Sequence, residues 1–312
     1  MAKEKIHTYR IRETRGDRVF DIVNVILLAL ILFISAYPLY YTIVASVSNS
    51  TALYTGKVYL WPKGFQLEAY RQVFKNKQIW TGYRNSIVYT VCGTLFNLFL
   101  TIPAAYALSK KKLFGRNLIM TYFLIPMYFG GGMIPSYLLN KSLGLVNSPL
   151  VLIITGGISI YNVIVTRTYF ASNVPDSIYE AANIDGCGEL RTFMKIALPL
   201  SDPIVAVMAL YYGVGHWNGY FTALIYVTKP ALQPLALVLR KILVLNEMTL
   251  DVILQGDGNI SGETIAAAAE KSKMIAVMKY ALVFIASAPM LIAYPFIQKY
   301  FVKGVMIGSV KG

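Results

Sequence analysis

The sequence predicts an all-α integral membrane protein with six transmembrane helices, and two observations support this fold class. Hydrophobic residues make up 56% of the chain and charged residues only 14%, with a mean hydropathy of +0.54, whereas an average soluble domain carries roughly a quarter charged residues. Six stretches are also long enough to cross a hydrocarbon layer, which requires about 20 helical residues. These stretches lie at 19–47, 86–108, 117–138, 148–170, 201–227 and 275–298.

The first stretch is predicted to be a transmembrane helix and not a signal peptide, because 19–47 is far longer than an h-region of about 7–15 residues. Basic segments flank the six stretches, at 1–18 before them and at 299–312 after them. Short basic segments mark the cytoplasmic side of a membrane protein. Both termini are therefore predicted to be cytoplasmic, around a six-helix domain at 19–298, and the net charge of +14 needs no nucleic-acid partner.

The segments that connect the stretches favour the same orientation. Residues 109–116 contain four basic residues, whereas the connection at 139–147 contains one. The positive-inside rule then places 109–116 and 171–200 in the cytoplasm. The segment at 48–85 is also basic, which argues against this orientation, but long loops carry less weight.

The third stretch contains strong helix breakers, since Pro126 and Pro135 flank Gly130–Gly132. Proline removes a backbone donor, and glycine adopts conformations outside the helix. Irregular backbone at membrane depth is tolerated only where protein or a water-filled cavity satisfies its polar groups. Three interpretations are open: a helix that lines a solute path, a kinked packing helix, or a span that ends early with the glycines in an outer loop.

The chain lacks the residues that would power transport by itself. No stretch matches the phosphate-binding pattern GxxxxGK[ST]. None of the 15 acidic residues lies in the middle of a predicted span, although ion-coupled carriers usually need such a group. The two histidines and two cysteines show no metal-ligand spacing. We therefore predict no enzyme activity, metal or cofactor in this chain and an energy source outside it.

The most informative segment is 173–199, which is predicted to form two short helices around a glycine turn. Asn173 is a candidate N-cap, Pro175 suits the first helical turn, and Gly186 suits a left-handed stop. Four apolar residues of the second half recur at i, i+3, i+4 and i+7, which predicts a single apolar stripe. They are Leu190, Phe193, Met194 and Ala197. Helices this short are marginal alone in water, so we expect the stripe to pack into a groove on another protein.

The same segment carries a recognisable motif. Its residues are Glu180, Ala181, Ala182, Asp185, Gly186, Phe193, Ile196, Leu198 and Pro199. They resemble the EAA motif of the permease subunits of bacterial ABC importers, with Cys187 in place of the usual alanine. The resemblance implies that 173–199 forms coupling helices, which sit in a cleft on a separate ATPase that holds ATP and Mg²⁺. It also implies a polar contact for Glu180 and the turn between the helices for Gly186.

The resemblance extends over the whole chain, to the maltose-type branch of carbohydrate permeases. Gly130–Gly144 and the ending Tyr294–Gly312 resemble a subgroup for complex oligosaccharides in Gram-positive bacteria. It implies a type I ABC importer permease fold in the plasma membrane and oligosaccharide import by alternating access. The implied partners are a second homologous permease, two ATPase subunits and a lipid-anchored solute-binding protein, which the outer loop at 228–274 would contact.

Three other functions are open. An ABC permease for a non-sugar solute keeps the coupling helices and changes only the cargo. An ion-coupled secondary transporter is disfavoured by the acid-free spans and by the EAA-like motif. A membrane enzyme is disfavoured because no constellation of His, Asp and Glu faces the membrane.

Candidate residues for an oligosaccharide path lie in the fourth and fifth stretches. Proteins bind sugars through flat aromatic faces and through amide or hydroxyl groups. The fifth stretch offers Tyr211, Tyr212, His216, Trp217, Asn218 and Tyr220, and the fourth offers Tyr161 and Asn162. The candidates selected from these are Tyr161, Asn162, Tyr211, Trp217 and Asn218. Aromatic residues at helical spacing also pack between helices, so packing is the alternative for each. Asn97, midway along the second stretch, either lines the path or bonds to a neighbouring helix.

Overall fold

The computed structural model describes residues 14–244 and 262–309, and this part of the chain consists of helices and connecting turns without strands. Its first half contains α1 (Arg15–Ser46), α2 (Ser50–Tyr54), α3 (Glu68–Lys75), α4 (Lys77–Ser109), α5 (Arg116–Tyr128), α6 (Met133–Ser142), α7 (Pro149–Ile154) and α8 (Ile160–Asn173). Its second half contains α9 (Asp176–Ile184), α10 (Glu189–Thr192), α11 (Asp202–Trp217), α12 (Tyr220–Tyr226), α13 (residues 235–244) and α14 (Gly262–Ser309). A π-helical turn at Phe193–Ala197 and a 3₁₀ turn at Pro199–Ser201 join α10 to α11.

Three helices are long and apolar enough to cross a membrane: α1, α4 and the part Glu270–Pro295 of α14. Two pairs of helices reach the required length only together. α5 and α6 are bent by 111° at their break, and Glu189–Ala197 is bent by 45° relative to Pro199–Trp217. Length and composition therefore give three to five candidate spans among the described residues, and the count of six stays a prediction.

The predicted third stretch is divided at its glycines. α5 ends at Tyr128, Gly132 has a φ of +84°, and the chain then changes direction by 111° into α6. Side chains at Gly130–Gly132 would meet open space, so packing does not require glycine there. This geometry excludes one gently kinked helix. Since α5 has only 13 residues, α5 and α6 together form a broken span or a re-entrant segment, and a role in lining a solute path stays a prediction.

The predicted fourth stretch is also two helices. α7 ends at Ile154 and α8 begins at Ile160, with non-helical backbone at 155–159. Pro149 at the first position of α7 and Ser148 as its N-cap account for where α7 begins. The break at 155–159 faces α4 and α11, which satisfy its polar groups as described below.

α4 is the central helix of the fold and packs on α7, α8 and α11. Lipid tails are as apolar as leucine, so helices in a bilayer associate through close packing at small residues. Ala105 of α4 is fully buried, in a cluster with Phe170 of α8 and Met208 of α11. A Cβ on Gly82 of α4 would lie 3.1 Å from the Leu235 Cα of α13. By contrast, the most apolar part of α1 has no buried residue.

Loops that the sequence assigns to opposite sides of the membrane lie at opposite ends of the helices. At one end, Lys111 of the loop 109–116 pairs with Asp176 at an N–O distance of 2.9 Å. At the other end, the Asn147 side chain accepts from the Thr228 N–H at 2.7 Å, and Asn85 donates to the Ala231 carbonyl at 2.8 Å. Loops predicted to share a side therefore contact each other, while the choice of cytoplasmic side stays a prediction.

Candidate functional site

Residues 173–199, which we call the coupling segment, form two short helices joined by a tight turn. α9 begins at Asp176, and its N-cap is Pro175, with φ −59° and ψ 140°. The prediction that Asn173 is the N-cap is wrong, since Asn173 ends α8 and its amide donates to the Tyr169 carbonyl at 3.3 Å. Pro175 sets the boundary because a proline disfavours helical backbone in the residue before it.

Gly186 makes the turn between the helices, as predicted. Its φ is +71°, a left-handed conformation that costs a residue with a side chain roughly 1–2 kcal/mol. The Cys187 N–H donates to the Ala182 carbonyl at 2.9 Å, and the Gly186 N–H donates to the Asn183 carbonyl at 3.1 Å. This pair of bonds is a Schellman motif, which satisfies the last carbonyls of α9.

The apolar residues of the second helix are divided between two environments. Phe193 is 8% exposed and Ala197 is fully buried, whereas Leu190 is 75% and Met194 is 53% exposed. The predicted single stripe is therefore wrong in part, because the chain's own core takes one of the two rows. The other row consists of Leu190 and Met194. Together with Ile184 at the end of α9, which is 86% exposed, these two residues form an apolar surface that we call the docking row.

The other motif residues divide in the same way. Those that pack on the chain are Ala182, which is buried, and Ile196 and Leu198, which are half-buried. Those that lie on the surface are Glu180, Ala181, Asp185 and Pro199. The segment thus has a face fastened to the helices and a face open to a partner.

Aromatic rings fasten the coupling segment to α4. The Tyr106 ring of α4 lies 4.9 Å from the Phe193 ring, measured between centroids. The Tyr106 hydroxyl donates to the Glu189 carboxylate at 3.3 Å. The Lys110 ammonium lies over the Tyr179 ring, 2.9 Å from its centroid, which is a cation–π contact.

An exposed ion pair adds a second, weaker connection between the loop 109–116 and the coupling segment. The side chains of Lys111 and Asp176 are 79% and 71% exposed. Exposed pairs of this kind contribute about 0–1 kcal/mol. The ring contacts, and not this ion pair, therefore account for most of the attachment.

Burial shifts the pKa of two side chains that attach the coupling segment to α4, Tyr179 and Lys110. Burial raises the pKa of Tyr179 to about 12, and the negative charges of Asp176 and Glu189 add to the rise. Burial also lowers the pKa of Lys110, although Glu189 and Asp176 oppose this shift. The folded-state pKa of Tyr179 lies above the unfolded value of about 10. Ionisation of Tyr179 therefore leaves the free energy of unfolding unchanged below about pH 10 and lowers it as the pH rises towards 12.

We expect the Tyr179 ring, and not its hydroxyl, to hold the coupling segment. The hydroxyl is buried without a hydrogen-bond partner among the described residues, whereas the ring contacts Lys110. Tyr179→Phe should therefore keep transport and thermal stability, while Tyr179→Ala should lose about 2 kcal/mol of packing and most transport. Uptake assays and melting curves of the two variants test this, and equal damage by both would contradict it.

A cavity of about 210 Å³ lies between α4, α11, α12 and the break at 155–159. At about 30 Å³ per water, it holds several water molecules or a group the size of a single sugar ring. Its lining is aromatic and polar, and consists of Tyr89, Asn97, Leu152, Thr155, Gly156, Tyr211, Tyr212, Gly215, His216, Gly219, Thr222 and Pro234. No acidic side chain is among these residues.

The five predicted path residues lie in different places. Tyr211 lines the cavity. Tyr161 is 56% exposed on α8, and Asn162 beside it is buried. Trp217 is buried and its indole N–H donates to the Ala286 carbonyl of α14 at 3.0 Å, while Asn218 is exposed at the end of α11. Their roles in a path stay predictions.

Asn97 bonds to the break in the fourth stretch, in keeping with its interpretation as an interhelical contact. Its side-chain amide donates to the carbonyls of Gly156 at 3.2 Å and Gly157 at 2.8 Å. Its amide oxygen accepts from the His216 ring at 2.6 Å. Gly93 allows this approach, since a Cβ there would lie 2.4 Å from the His216 ring. We call Asn97, His216 and these two carbonyls the polar node.

Tyr212 completes the support of the break. Its hydroxyl lies 2.6 Å from the Thr101 hydroxyl and accepts from the Ser159 N–H at 3.2 Å. The backbone groups freed at 155–159 are thus bonded to side chains of α4 and α11, as a break at membrane depth requires. The sequence did not single out Tyr89 for this site, whereas Tyr212 and His216 belong to the aromatic and polar run that it offers in the fifth stretch.

Comparison with known proteins identifies the family. Residues 79–307 match the family described as the binding-protein-dependent transport system inner membrane component. The chain belongs to this family. The match covers α4 to α14 and therefore includes the coupling segment, the polar node and the cavity.

Individual relatives agree with this membership over almost the whole chain. Protein LplC of Bacillus subtilis is 39% identical over 308 residues, which are 99% of each chain. The polygalacturonan/rhamnogalacturonan transport system permease protein YtcP of the same organism is 38% identical over 296 residues, 95% of this chain and 99% of YtcP. Relatives of this inner membrane component are thus transport permeases and not enzymes.

A solved structure confirms the fold class. This inner membrane component matches a bacterial ABC transporter involved in the import of the acidic polysaccharide alginate, with a TM-score of 0.79 and 33% identity. The match covers 93% of this chain and 99% of the other. The all-α permease fold of ABC importers, predicted from the sequence, is therefore confirmed.

Proposed function

We propose that this chain is the transmembrane permease subunit of an ATP-driven importer that moves oligosaccharides across the bacterial plasma membrane by alternating access. The observation that carries the proposal is the two-faced coupling segment. One face is fastened to α4, and the other exposes the docking row of Ile184, Leu190 and Met194. Exposed apolar side chains on short helices suit a groove on a second protein, which here is an ATPase.

The proposed partners follow from this arrangement. The chain supplies no phosphate-binding loop, so ATP and Mg²⁺ belong to two ATPase subunits that the docking row contacts, with Glu180 as a polar contact. A second homologous permease would cover the apolar surface that this chain leaves open, as in a heterodimer. A solute-binding protein is in keeping with the family description, and we propose that a lipid anchors it outside the cell. Part of the loop proposed to meet it, 245–261, lies outside the described residues.

The proposed substrate class rests on the cavity and on the relatives. Tyr211 and Tyr89 offer ring faces, and Thr155 and Thr222 offer hydroxyl groups that pair with sugar hydroxyls. YtcP is named for polygalacturonan and rhamnogalacturonan, and the solved relative imports alginate. We infer that Tyr211 contacts the oligosaccharide at this cavity.

The other predicted path residues take subordinate roles in this proposal. Trp217 would support the path from behind, through its bond to α14. Tyr161 and Asn218, which are exposed, would contact the sugar on faces that a second permease closes, and Asn162, which is buried, would support the path from within α8.

The coupling mechanism is a rigid transmission. When the ATPase dimer closes on ATP, the docking row moves with it, and the ring contacts of Tyr106 and Tyr179 carry the movement to α4. α4 bonds through Asn97 to the break at 155–159 and to α11. A displacement at the coupling segment therefore reaches the cavity and changes the side to which it opens.

Reconstituted transport tests the proposal. Proteoliposomes that contain the whole complex should take up labelled oligogalacturonides only when ATP is present on the ATPase side. Tyr211→Ala should lower uptake about tenfold, since loss of a sugar-stacking ring costs roughly 1–2 kcal/mol, whereas Tyr122→Ala on the exposed face of α5 should not. Uptake driven by an ion gradient without ATP would overturn the proposal. ATP-driven uptake of peptides and not of oligosaccharides would show that the proposed substrate class is wrong.

A further inference from the structure

Two arginines converge on one backbone oxygen at the end of α4. The Nε of Arg116 and the Nε of Arg167 each donate to the Leu108 carbonyl at 3.0 Å. The two Nε atoms therefore lie no further apart than twice that distance. Leu108 is 3% exposed, and both arginines are half-buried, so these charges are held close together and only partly hydrated.

This arrangement places two positive charges together without a carboxylate. Among the described residues, carboxylates pair with Arg71, Lys111 and Lys273, and none lies within ion-pair distance of Arg116 or Arg167. The negative end of the α4 dipole at Leu108 favours cations, but such an effect offsets only part of the repulsion. Each guanidinium has five N–H donors, so most donors are left for an anion.

The surroundings of the pair combine further positive charge with exposed apolar side chains. Lys111 and Arg116 line a shallow cavity of about 320 Å³ with Leu113, Gly115, Asn117 and Leu118. Phe114, in the same loop, is 97% exposed, and Leu118 is 76% exposed. Basic groups beside exposed apolar side chains at the end of a transmembrane helix suit the headgroup region of a bilayer.

The geometry points to a binding site for the phosphate of an anionic inner-leaflet phospholipid, formed by Arg116 and Arg167, with Phe114 and Leu118 among the acyl chains. Arginine forks match phosphate oxygens in paired hydrogen bonds. The bound phosphodiester, with its single negative charge, offsets part of the repulsion between the two guanidinium groups and thereby holds α4, α5 and α8 together at this end. The site lies beside the coupling segment, to which Lys111 is also paired.

Lipid binding by the purified complex tests this site. Native mass spectrometry counts phosphatidylglycerol and phosphatidylcholine that remain bound as each is titrated. We expect the double variant Arg116→Gln/Arg167→Gln to weaken phosphatidylglycerol binding by about tenfold to thirtyfold, as expected for two basic groups, and to leave phosphatidylcholine binding unchanged. Arg116→Lys/Arg167→Lys keeps the charge and loses the forks, so it should fall in between. It also guards against a loss caused by unfolding.

The matched control is Lys57→Gln/Lys63→Gln, which removes the same charge from exposed positions on the opposite side. This control should bind phosphatidylglycerol like the unmodified chain. Equal phosphatidylglycerol binding by the glutamine variant would overturn the proposal. Displacement of the lipid by millimolar inorganic phosphate would instead identify a free phosphate site. Loss of a partner subunit without loss of lipid would identify an acidic protein contact, and either result would reject the lipid.

Discussion

Ile184→Asp combined with Leu190→Asp is expected to abolish ATP-driven uptake while the chain remains folded and inserted. The two side chains are 86% and 75% exposed, and substitutions at such positions usually change the free energy of unfolding by no more than about 0.5 kcal/mol. In a groove of the ATPase, the same residues would be buried, and each new carboxylate would be desolvated at a cost of about 2 kcal/mol or more. The complex should therefore lose its ATPase on purification, as seen by gel filtration and uptake.

A control separates docking from general damage. Leu143→Asp introduces the same charge at a leucine that is 63% exposed at the end of α6, which the sequence assigns to the outer side. This variant should retain the ATPase. If the double variant still co-purifies with the ATPase at an unchanged ratio, the docking row does not form the contact and the proposed coupling is wrong.

The coupling segment shows which parts of a structure the sequence can predict. Its two helices and its turn at Gly186 follow from local signals, since glycine and proline restrict the backbone wherever they occur. The division of Phe193 and Ala197 from Leu190 and Met194 depends instead on which row meets α4. The periodicity of one helix does not show which neighbour each row meets. The sequence therefore could not distinguish the row that packs on the chain from the row that stays exposed for the ATPase.

The cavity was harder to predict for the same reason. Trp217 and Tyr211 are both aromatic residues of α11, but Trp217 is buried towards α14, where it bonds to Ala286, and Tyr211 lines the cavity. Only the tertiary arrangement distinguishes them. Hydropathy likewise marked 148–170 as a continuous stretch, because an average over a whole span hides the short segment 155–159, which contains two glycines, a threonine and a serine. Neighbouring side chains satisfy the backbone of this segment.

The polar node yields the second large effect: Asn97→Leu should destabilise the chain and stop transport. Leucine has a similar size but cannot bond, so the carbonyls of Gly156 and Gly157 and the His216 ring would each lose a partner. An unpaired buried polar group costs about 1–3 kcal/mol, whereas interhelical bonds in membranes average about 0.6 kcal/mol. For three groups, these limits give a loss of about 2–9 kcal/mol.

Melting curves in detergent and uptake in proteoliposomes measure both parts of this prediction. Asn97→Asp keeps an acceptor for His216 but loses the amide donors, so it should lie between the leucine variant and the unmodified chain. Asn117→Leu makes the same exchange at an exposed position of α5 and should be neutral. Unchanged melting and uptake in Asn97→Leu would show that the break at 155–159 holds its shape without the amide.

Gly93→Ala tests the node without removing any of its polar groups. The added Cβ would lie 2.4 Å from the His216 ring, so the ring must move and its bond to Asn97 must lengthen. Loss of transport in Gly93→Ala and its recovery in Gly93→Ala/His216→Ala would show that the space beside α4, and not the imidazole itself, is required. Loss in both variants would show that transport depends on the imidazole that Asn97 holds at the cavity wall. Unchanged transport in Gly93→Ala would contradict the role of the polar node as the connection between α4 and α11 that transmission from the coupling segment to the cavity requires.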